Sequence, residues 1–443
     1  MIEQVGDENS SQRTYYAWQG ESVIAEYSEV SMAALTKLPL LATLTLAGLA
    51  GSFLLAPDGS AGGFGQRASN LLPTARVEQL SLAMFKGPDK EQVAGPRIQT
   101  ALTTQKGIAA LVFSPNGKFL VAGAESKSLV TVWETSGWRL RSELASKQSP
   151  LSNAVSRLHF SPNGQWLEAG SYSEKVSIWN LEAGELTTTL VGFKDFTSGV
   201  AFSPDNHRLA MTSFNDRRVT LWDVAKGRLM KTFTMPPQQT SGGEPYNAGA
   251  VDLAFSPDGH TLATAVDRQA YLWDISTGEI KGTLIGHTST IYAIAFSADG
   301  KTIATISRDA TARLWDAATG QAKAILRGHN LAIRRMAFSP DARTLATGSQ
   351  DETAKLWDVQ TGRLIATLPG HRDTVWSISF SPDSRLVATA SGKTAKLWDA
   401  KTGELRQTLD GMHTPVAFSP IGHTLATAGK GGTLTIWDVS SVH

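Results

Sequence analysis

Nine histidines and no cysteine set the reactive chemistry open to this chain of 443 residues. Two of the histidines stand in a suggestive pattern. His287, Ser307 and Asp309 place an imidazole, a hydroxyl and a carboxylate within 22 residues, and His329, Ser349 and Asp351 repeat the trio 42 residues later. A serine hydrolase uses these three groups: the imidazole takes the hydroxyl proton and the carboxylate orients the imidazole. Recurrence at a fixed step points the other way, because a nucleophile is needed once whereas a structural network is copied along with its fold. Trp315 and Trp357 each follow six residues after an Asp, and a buried indole N–H needs an acceptor. We therefore read both sets as structural and assign no catalytic residue. There is no Gly-x-Ser-x-Gly elbow, P-loop or zinc-type histidine helix. Without cysteine there are no disulfides, thiolate nucleophiles or thiolate-bound metals, and neither a metal nor a cofactor is expected. His207, His260 and His423 follow Pro-Asp or Pro-Ile-Gly turns and are expected to be solvated. Lys plus Arg number 41 against 40 Asp plus Glu, a balance that makes no case for nucleic acid.

The elements that must position these residues come from a repeat. The phrase FSPDGHTLATAVDRQAYLWD, with variants, occurs eight times. It opens at Phe113, Phe160, Phe202, Phe255, Phe296, Phe338, Phe380 and Phe418 and closes at Trp133, Trp179, Trp222, Trp273, Trp315, Trp357, Trp398 and Trp437. The tryptophans span 304 residues in seven steps, about 43 per step, which suits a four-stranded blade. In the seventh repeat the segment from Thr374 to Phe380, then RLVATAS, TAKLWD and ELRQTL, read as four strands between SPDS and Asp399–Gly403 turns. One such sheet cannot bury both faces alone, so neighbours must stack. The step from Trp222 to Trp273 is 51 residues against 42 for the next two, and the excess lies in Met235 to Gly249, a candidate functional loop.

These residues resemble the WD-repeat β-propeller family from Arg97 to the end, and the regular FSPDG repeats are similar to bacterial, cyanobacterial-type members. Six repeats end in Trp-Asp; the first ends Trp133-Glu134 and the second Trp179-Asn180. Gly-His precedes the first strand at His287, His329 and His371, with Gly411-Met412-His413 as a spaced variant. The resemblance implies an all-β, eight-bladed propeller of four-stranded antiparallel blades. It also implies buried hydrogen-bond sets: His287, Ser307, Asp309, Trp315 and His329, Ser349, Asp351, Trp357. Repeat seven keeps His371, Ser391 and Trp398 without the Asp; repeat eight has Gly429 and Gly431; repeat three has Phe193 in place of the His. Those blades are expected to be less rigid. The last repeat ends at Asp438, five residues from the C-terminus, so the eighth blade lacks a strand. The family's clasp implies that Arg97 to Thr104, which has β-forming character, supplies it. Partner contacts in the family flank the start of the first strand and precede the turn Asp. Here those positions are Thr290 and Tyr292, Ala332 and Arg334, and Thr374 and Trp376, with Arg308 and Gln350. Tyr, Trp and Arg are enriched at binding hot spots.

Residues 1–31 are polar and acidic and read as disordered or as a mis-assigned start before Met32. Residues 32–57 contain Leu38 to Ala56, nineteen residues without a charge. As a helix this is close to the thickness of a bilayer core. It reads as a transmembrane anchor or as a secretory signal with a small-residue cleavage site at Gly48–Ala50. Residues 58–95 form a linker, Gly-rich at first, in which Pro73 to Phe85 has the spacing of a short amphipathic helix. Residues 96–443 are the propeller. The expectation is a monomeric, non-catalytic protein-interaction scaffold, membrane-anchored or exported to the periplasm or beyond. Two alternatives remain open: a propeller that binds a small ligand or glycan, and a propeller subunit of an enzyme complex.

Overall fold

A computed structural model of the chain describes residues 95–442, apart from 105–106, 126–128, 146–153, 171–174, 192–196, 214–215, 240–244 and 247–249, together with three strands nearer the N-terminus. The chain divides into two units, residues 1–90 and 91–443. In the first, Ile2–Val5, Thr14–Gln19 and Ser22–Ser28 form one antiparallel sheet. The acidic balance suggested no regular structure there, but TYYAWQ and SVIAEYS are rich in aromatic and β-branched residues, which favour strands. The hydrophobic segment 38–56, expected as a helix, and the short helix at 73–85 lie outside the described residues. Among the described residues no helix is long and apolar enough to cross a membrane.

The second unit is eight four-stranded antiparallel sheets. Blade one comprises Ile108–Phe113, Phe119–Ala124, Leu129–Glu134 and Arg139–Ala145. Blade five comprises Ile291–Phe296, Thr302–Ser307, Ala312–Asp316 and Ala322–Leu326, and blade six Ile333–Phe338, Thr344–Ser349, Ala354–Asp358 and Leu364–Leu368. Blade seven comprises Ser377–Phe380, Leu386–Ser391, Thr394–Asp399 and Leu405–Asp410. In the turn after the first strand a serine donates to the Asp or Asn two residues on, as in Ser297 Oγ to Asp299 Oδ1 at 2.6 Å, and accepts the amide that restarts the chain, Thr302 N at 3.0 Å. That local bonding is why a serine followed two residues on by Asp or Asn punctuates the first hairpin of seven of the eight blades, blade eight having Ser419-Pro-Ile421. A register shift falls immediately before the repeat tryptophan, for example at Leu314/Trp315 and Leu356/Trp357. Such a bulge strengthens the twist and re-aims the side chain. Trp315 and Trp357 are accordingly buried.

The core lies between blades. One cluster joins Ala304, Ile306 and Leu314 of blade five to Leu345 and Trp357 of blade six. First strands of successive blades contact one another all the way round, including Met412–Phe418 of blade eight against Ile108–Phe113 of blade one. The expected clasp is present: Arg97–Thr103 pairs antiparallel with Thr433–Asp438 and completes blade eight, in the order Met412–Phe418, Thr424–Gly429, Thr433–Asp438, Arg97–Thr103. Leu102 seats it in the cluster shared with Leu120 and Trp133 of blade one. Side chains on the first strands also latch neighbouring backbones. Arg335 Nε donates to Trp376 O at 3.0 Å, and Ser379 Oγ accepts from Phe418 N at 3.0 Å. The long insertion after blade three carries a two-residue ladder, Gln238–Gln239 against Pro245–Tyr246.

Candidate functional site

The histidine sets form buried relays, with one member different from the one expected. In blade five, Trp315 Nε1 donates to Thr305 Oγ1 at 2.9 Å, Thr305 Oγ1 lies 2.8 Å from His287 Nε2, and His287 Nδ1 lies 2.8 Å from Asp309 Oδ2. Indole N–H can only donate, so the threonine must pass its own hydrogen to Nε2, and the network assigns the remaining proton to Nδ1, facing the carboxylate. Blade six repeats this with Trp357, Thr347, His329 and Asp351 at 2.8, 2.9 and 2.8 Å. The linking hydroxyls are thus Thr305 and Thr347, not Ser307 and Ser349. The threonine lies two residues earlier on the same strand, buried and diagonal to the Trp: Ile303 and Leu345 stand opposite Trp315 and Trp357, and Thr305 and Thr347 opposite Arg313 and Lys355. Ser307 and Ser349 instead donate to the backbone carbonyls of Ser289 and Leu331 and accept the turn amides of Asp309 and Asp351. The signal was available: Ala-Thr recurs at Thr264, Thr305, Thr347, Thr389 and Thr427, and each of these threonines accepts from its blade's tryptophan.

No member of either relay is placed for hydrolysis. His287 and His329 are buried. Burial pushes both imidazoles below the usual range, and the pull of their aspartates only partly offsets it. Burial also acts to raise the Asp309 carboxyl, but hydrogen bonds from Thr311, the Thr288 amide and His287 outweigh this and hold it at about 2. Blade seven has the relay without its acid. Trp398 donates to Thr389 at 2.8 Å, and Thr389 meets His371 Nε2 at 2.8 Å. His371 Nδ1 faces Ser391 Oγ at 3.0 Å. Burial, with the Lys396 charge, pushes His371 down to about 4. Blade two is built differently: a fully buried Glu168 meets His159 Nδ1 at 3.0 Å, and the buried Trp179 indole N–H has no partner among the described residues. Phe193 lies outside the described residues.

The rim of blades five to seven brings three of the expected contact residues together. The Arg334 guanidinium carbon sits 4.4 Å from the Tyr292 ring centre and 5.9 Å from that of Trp376. A cation between two aromatic faces from different blades is attracted by both. Trp376 is 39% exposed and lies just ahead of the blade-seven strand, not within it. It is held by its own amide on Ala390 O at 3.0 Å and by Arg335 on its carbonyl. The other positions divide. Arg308 is exposed, and Thr290 and Gln350 are half-buried. The amides of Arg308 and Gln350 donate to Thr290 O and Ala332 O at 2.9 and 3.0 Å, tying each turn to the start of the first strand. Thr374 and Ala332 are buried, at 9% and 7% exposed. The chain dips inward there to seat Val375 and Ile333, so neither offers surface to a partner.

Eight stacked four-stranded blades with recurring Trp–Thr–His–Asp relays and an N-terminal clasp define a WD-type β-propeller. The chain belongs to the WD domain, G-beta repeat family, whose repeats match residues 96–134, 143–180, 184–223, 239–274, 278–316, 320–358, 362–399 and 403–438. It is 29% identical over 205 residues to autophagy-related protein 16 of Arabidopsis thaliana, covering 46% of this chain and 37% of that protein. An uncharacterised WD repeat-containing protein of Synechocystis sp. is 34% identical over 118 residues, 27% of this chain and 31% of its own length. Coronin-7 of Mus musculus is 34% identical over 111 residues, 24% of this chain and 11% of that protein. The chain thus spans only part of each of these relatives. Among solved structures, the C-terminal WD40 domain of Sif2 superposes with a TM-score of 0.66 at 19% identity, covering 78% of this chain and 98% of that one. The computationally designed Ika8 protein does so with a TM-score of 0.63 at 24% identity, covering 76% and 98%. Both likenesses concern the fold.

Proposed function

We propose that the chain is a protein-interaction scaffold whose docking rim runs across blades five to seven. The observation that supports this most is the Tyr292–Arg334–Trp376 stack. Three consecutive blades contribute one hot-spot residue type each, and the stack holds the arginine in place before any partner arrives, which reduces the ordering cost of binding. The family membership supports the same reading, since its contact positions map onto this rim. Replacing Tyr292, Arg334 and Trp376 together with alanine is expected to leave the fold intact by circular dichroism. Crosslinks from blades five to seven to bound proteins, mapped by mass spectrometry in the native host, should disappear. Unchanged crosslinks would move the docking site elsewhere.

The second part of the reading is an address. Leu38 to Ala56 tethers the propeller to a membrane or directs its export. The motive is nineteen uncharged residues after Lys37. Mass spectrometry of the mature protein separates the routes: an N-terminus near residue 51 marks a cleaved signal, and membrane-bound protein that retains residue 38 marks an anchor. Soluble cytoplasmic protein retaining residues 38–56 would sink both. A bacterial origin is supported by the regular repeats and by the Synechocystis relative, although other similar proteins are from plants and mammals.

A further inference from the structure

Blade seven differs from its neighbours by one missing carboxylate. In blades five and six the turn after the second strand runs Ser-Arg-Asp-Ala-Thr and Ser-Gln-Asp-Glu-Thr. Its aspartate accepts from the histidine Nδ1 and from the next residue's amide, Thr288 N and Asn330 N, both at 2.9 Å. In blade seven the turn is one residue shorter, Ser391-Gly392-Lys393-Thr394, so a glycine and a lysine stand where the acid was. Arg372 occupies the position of Thr288 and Asn330. A cavity of about 570 Å³ adjoins that place, lined by Arg372, Ser391, Gly392, Lys393 and Lys396, among others, with the Asp373 carboxylate against Gly392 on one side. Lys396 is itself 8% exposed, and its Nζ donates to Thr408 Oγ1 at 3.2 Å on the cavity wall. Asp373 and Asp410 also border it, leaving three cations against two acids.

We infer that this cavity takes a carboxylate from outside the chain, which completes the blade-seven relay in the way Asp309 and Asp351 complete theirs. The donor chain runs Trp398, Thr389, His371 and Ser391. It ends on a hydroxyl at the cavity wall, because the His371 Nδ1 hydrogen is given to Ser391 and leaves the serine's own hydrogen for an acceptor. Arg372, Lys393 and Lys396 line the same cavity, cations that favour a charged acceptor. The same loop, residues 371–376, carries Trp376 of the rim stack, so the acidic side chain of a docked peptide is the occupant that fits best. A free small carboxylate shares the chemistry. The site's chemistry goes beyond the rim reading, and only the choice of a peptide as its occupant rests on that reading.

The test uses the full chain with two probes, a fluorescein-labelled tri-glutamate peptide followed by anisotropy and free succinate as competitor. Saturable binding of the peptide is expected. Lys393→Ala, an exposed position, should weaken it about tenfold, the loss of one charged contact. Replacing residues 391–394 with the blade-six turn Ser-Gln-Asp-Glu-Thr supplies the carboxylate internally and should abolish binding while raising the melting temperature. Succinate that displaces the peptide at similar concentration assigns the site to small carboxylates, and succinate without effect assigns it to acidic peptides; either result supports the inference. Arg334→Ala should leave the tri-glutamate bound, which keeps failure of the rim reading separate. No binding to the wild-type chain, or equal binding to wild type and turn graft, overturns the inference.

Discussion

At the scale of single residues, the relay hydroxyls and the histidines govern stability in measurable ways. Thr347→Val keeps the shape but leaves a buried indole N–H and an imidazole nitrogen without partners, which costs about 2–4 kcal/mol. Ser349→Ala breaks only turn bonds and should cost about 1 kcal/mol. Urea unfolding of the two variants checks the assignment of Thr347 as the link; a larger loss at Ser349 would reverse it. His371 makes stability depend on pH. Its folded pKa, at about 4, lies below the ordinary 6.5, so the unfolded chain binds the extra proton. The stabilisation is fully present above pH 6.5 and is lost as pH falls toward about 4, a total of roughly 3 kcal/mol. The turn graft should flatten this slope, because a neighbouring carboxylate favours the protonated imidazole. Denaturant midpoints measured between these pH values would show it.

At the scale of the element, the clasp is one strand joined by register and a single buried side chain. Of its residues Leu102 is buried at 9% while Ile98 is 62% exposed. Leu102→Asp places a charge in the cluster between blades eight and one and should cost roughly 3 kcal/mol or more. Ile98→Asp on the same strand should stay within about 0.5 kcal/mol. A calorimetric scan distinguishes the two, and equal melting temperatures would show that the strand does not hold the ring closed. The first strands do related work. Arg335 fixes the loop bearing Trp376, so the element that closes blade six onto blade seven also sets the geometry of the rim stack.

At the scale of the whole molecule, the ring is uneven. Blades five and six have complete relays, blade seven a relay ending on a serine, and blade two an indole N–H with no partner among the described residues. Nearest-neighbour packing makes local stability follow such differences. Among the eight repeat tryptophans, hydrogen exchange of the indole N–H should therefore be slowest for Trp315 and Trp357 and fastest for Trp179. A uniform rate around the ring would mean that opening is global and that the relays add no local protection.

Much of this propeller is determined by the chain read alone. A repeated strand–turn phrase fixes which face each side chain takes, and eight copies fix the blade count, because period-2 alternation and Ser-Pro-Asp turns are local physics. That Arg97 to Thr104 pairs with the last repeat is implied by the family resemblance, and Arg97–Thr103 does lie against Thr433–Asp438. What sequence spacing could not decide is which hydroxyl joins Trp to His. Thr305 and Ser307 lie two apart on one strand face, and the register of the second strand against the third, with Ile303 opposite Trp315 and Thr305 opposite Arg313, brings Thr305 to the indole. Nor could it show that Arg334 lies between Tyr292 and Trp376, or that the short blade-seven turn leaves a cavity lined by Lys393 and Lys396. The rim stack joins residues about forty positions apart on three blades. It depends on how far each blade is rotated against the next, and that angle is set by packing in the cores between the blades, whereas the cavity depends on how the blade-seven turn folds against its own strands.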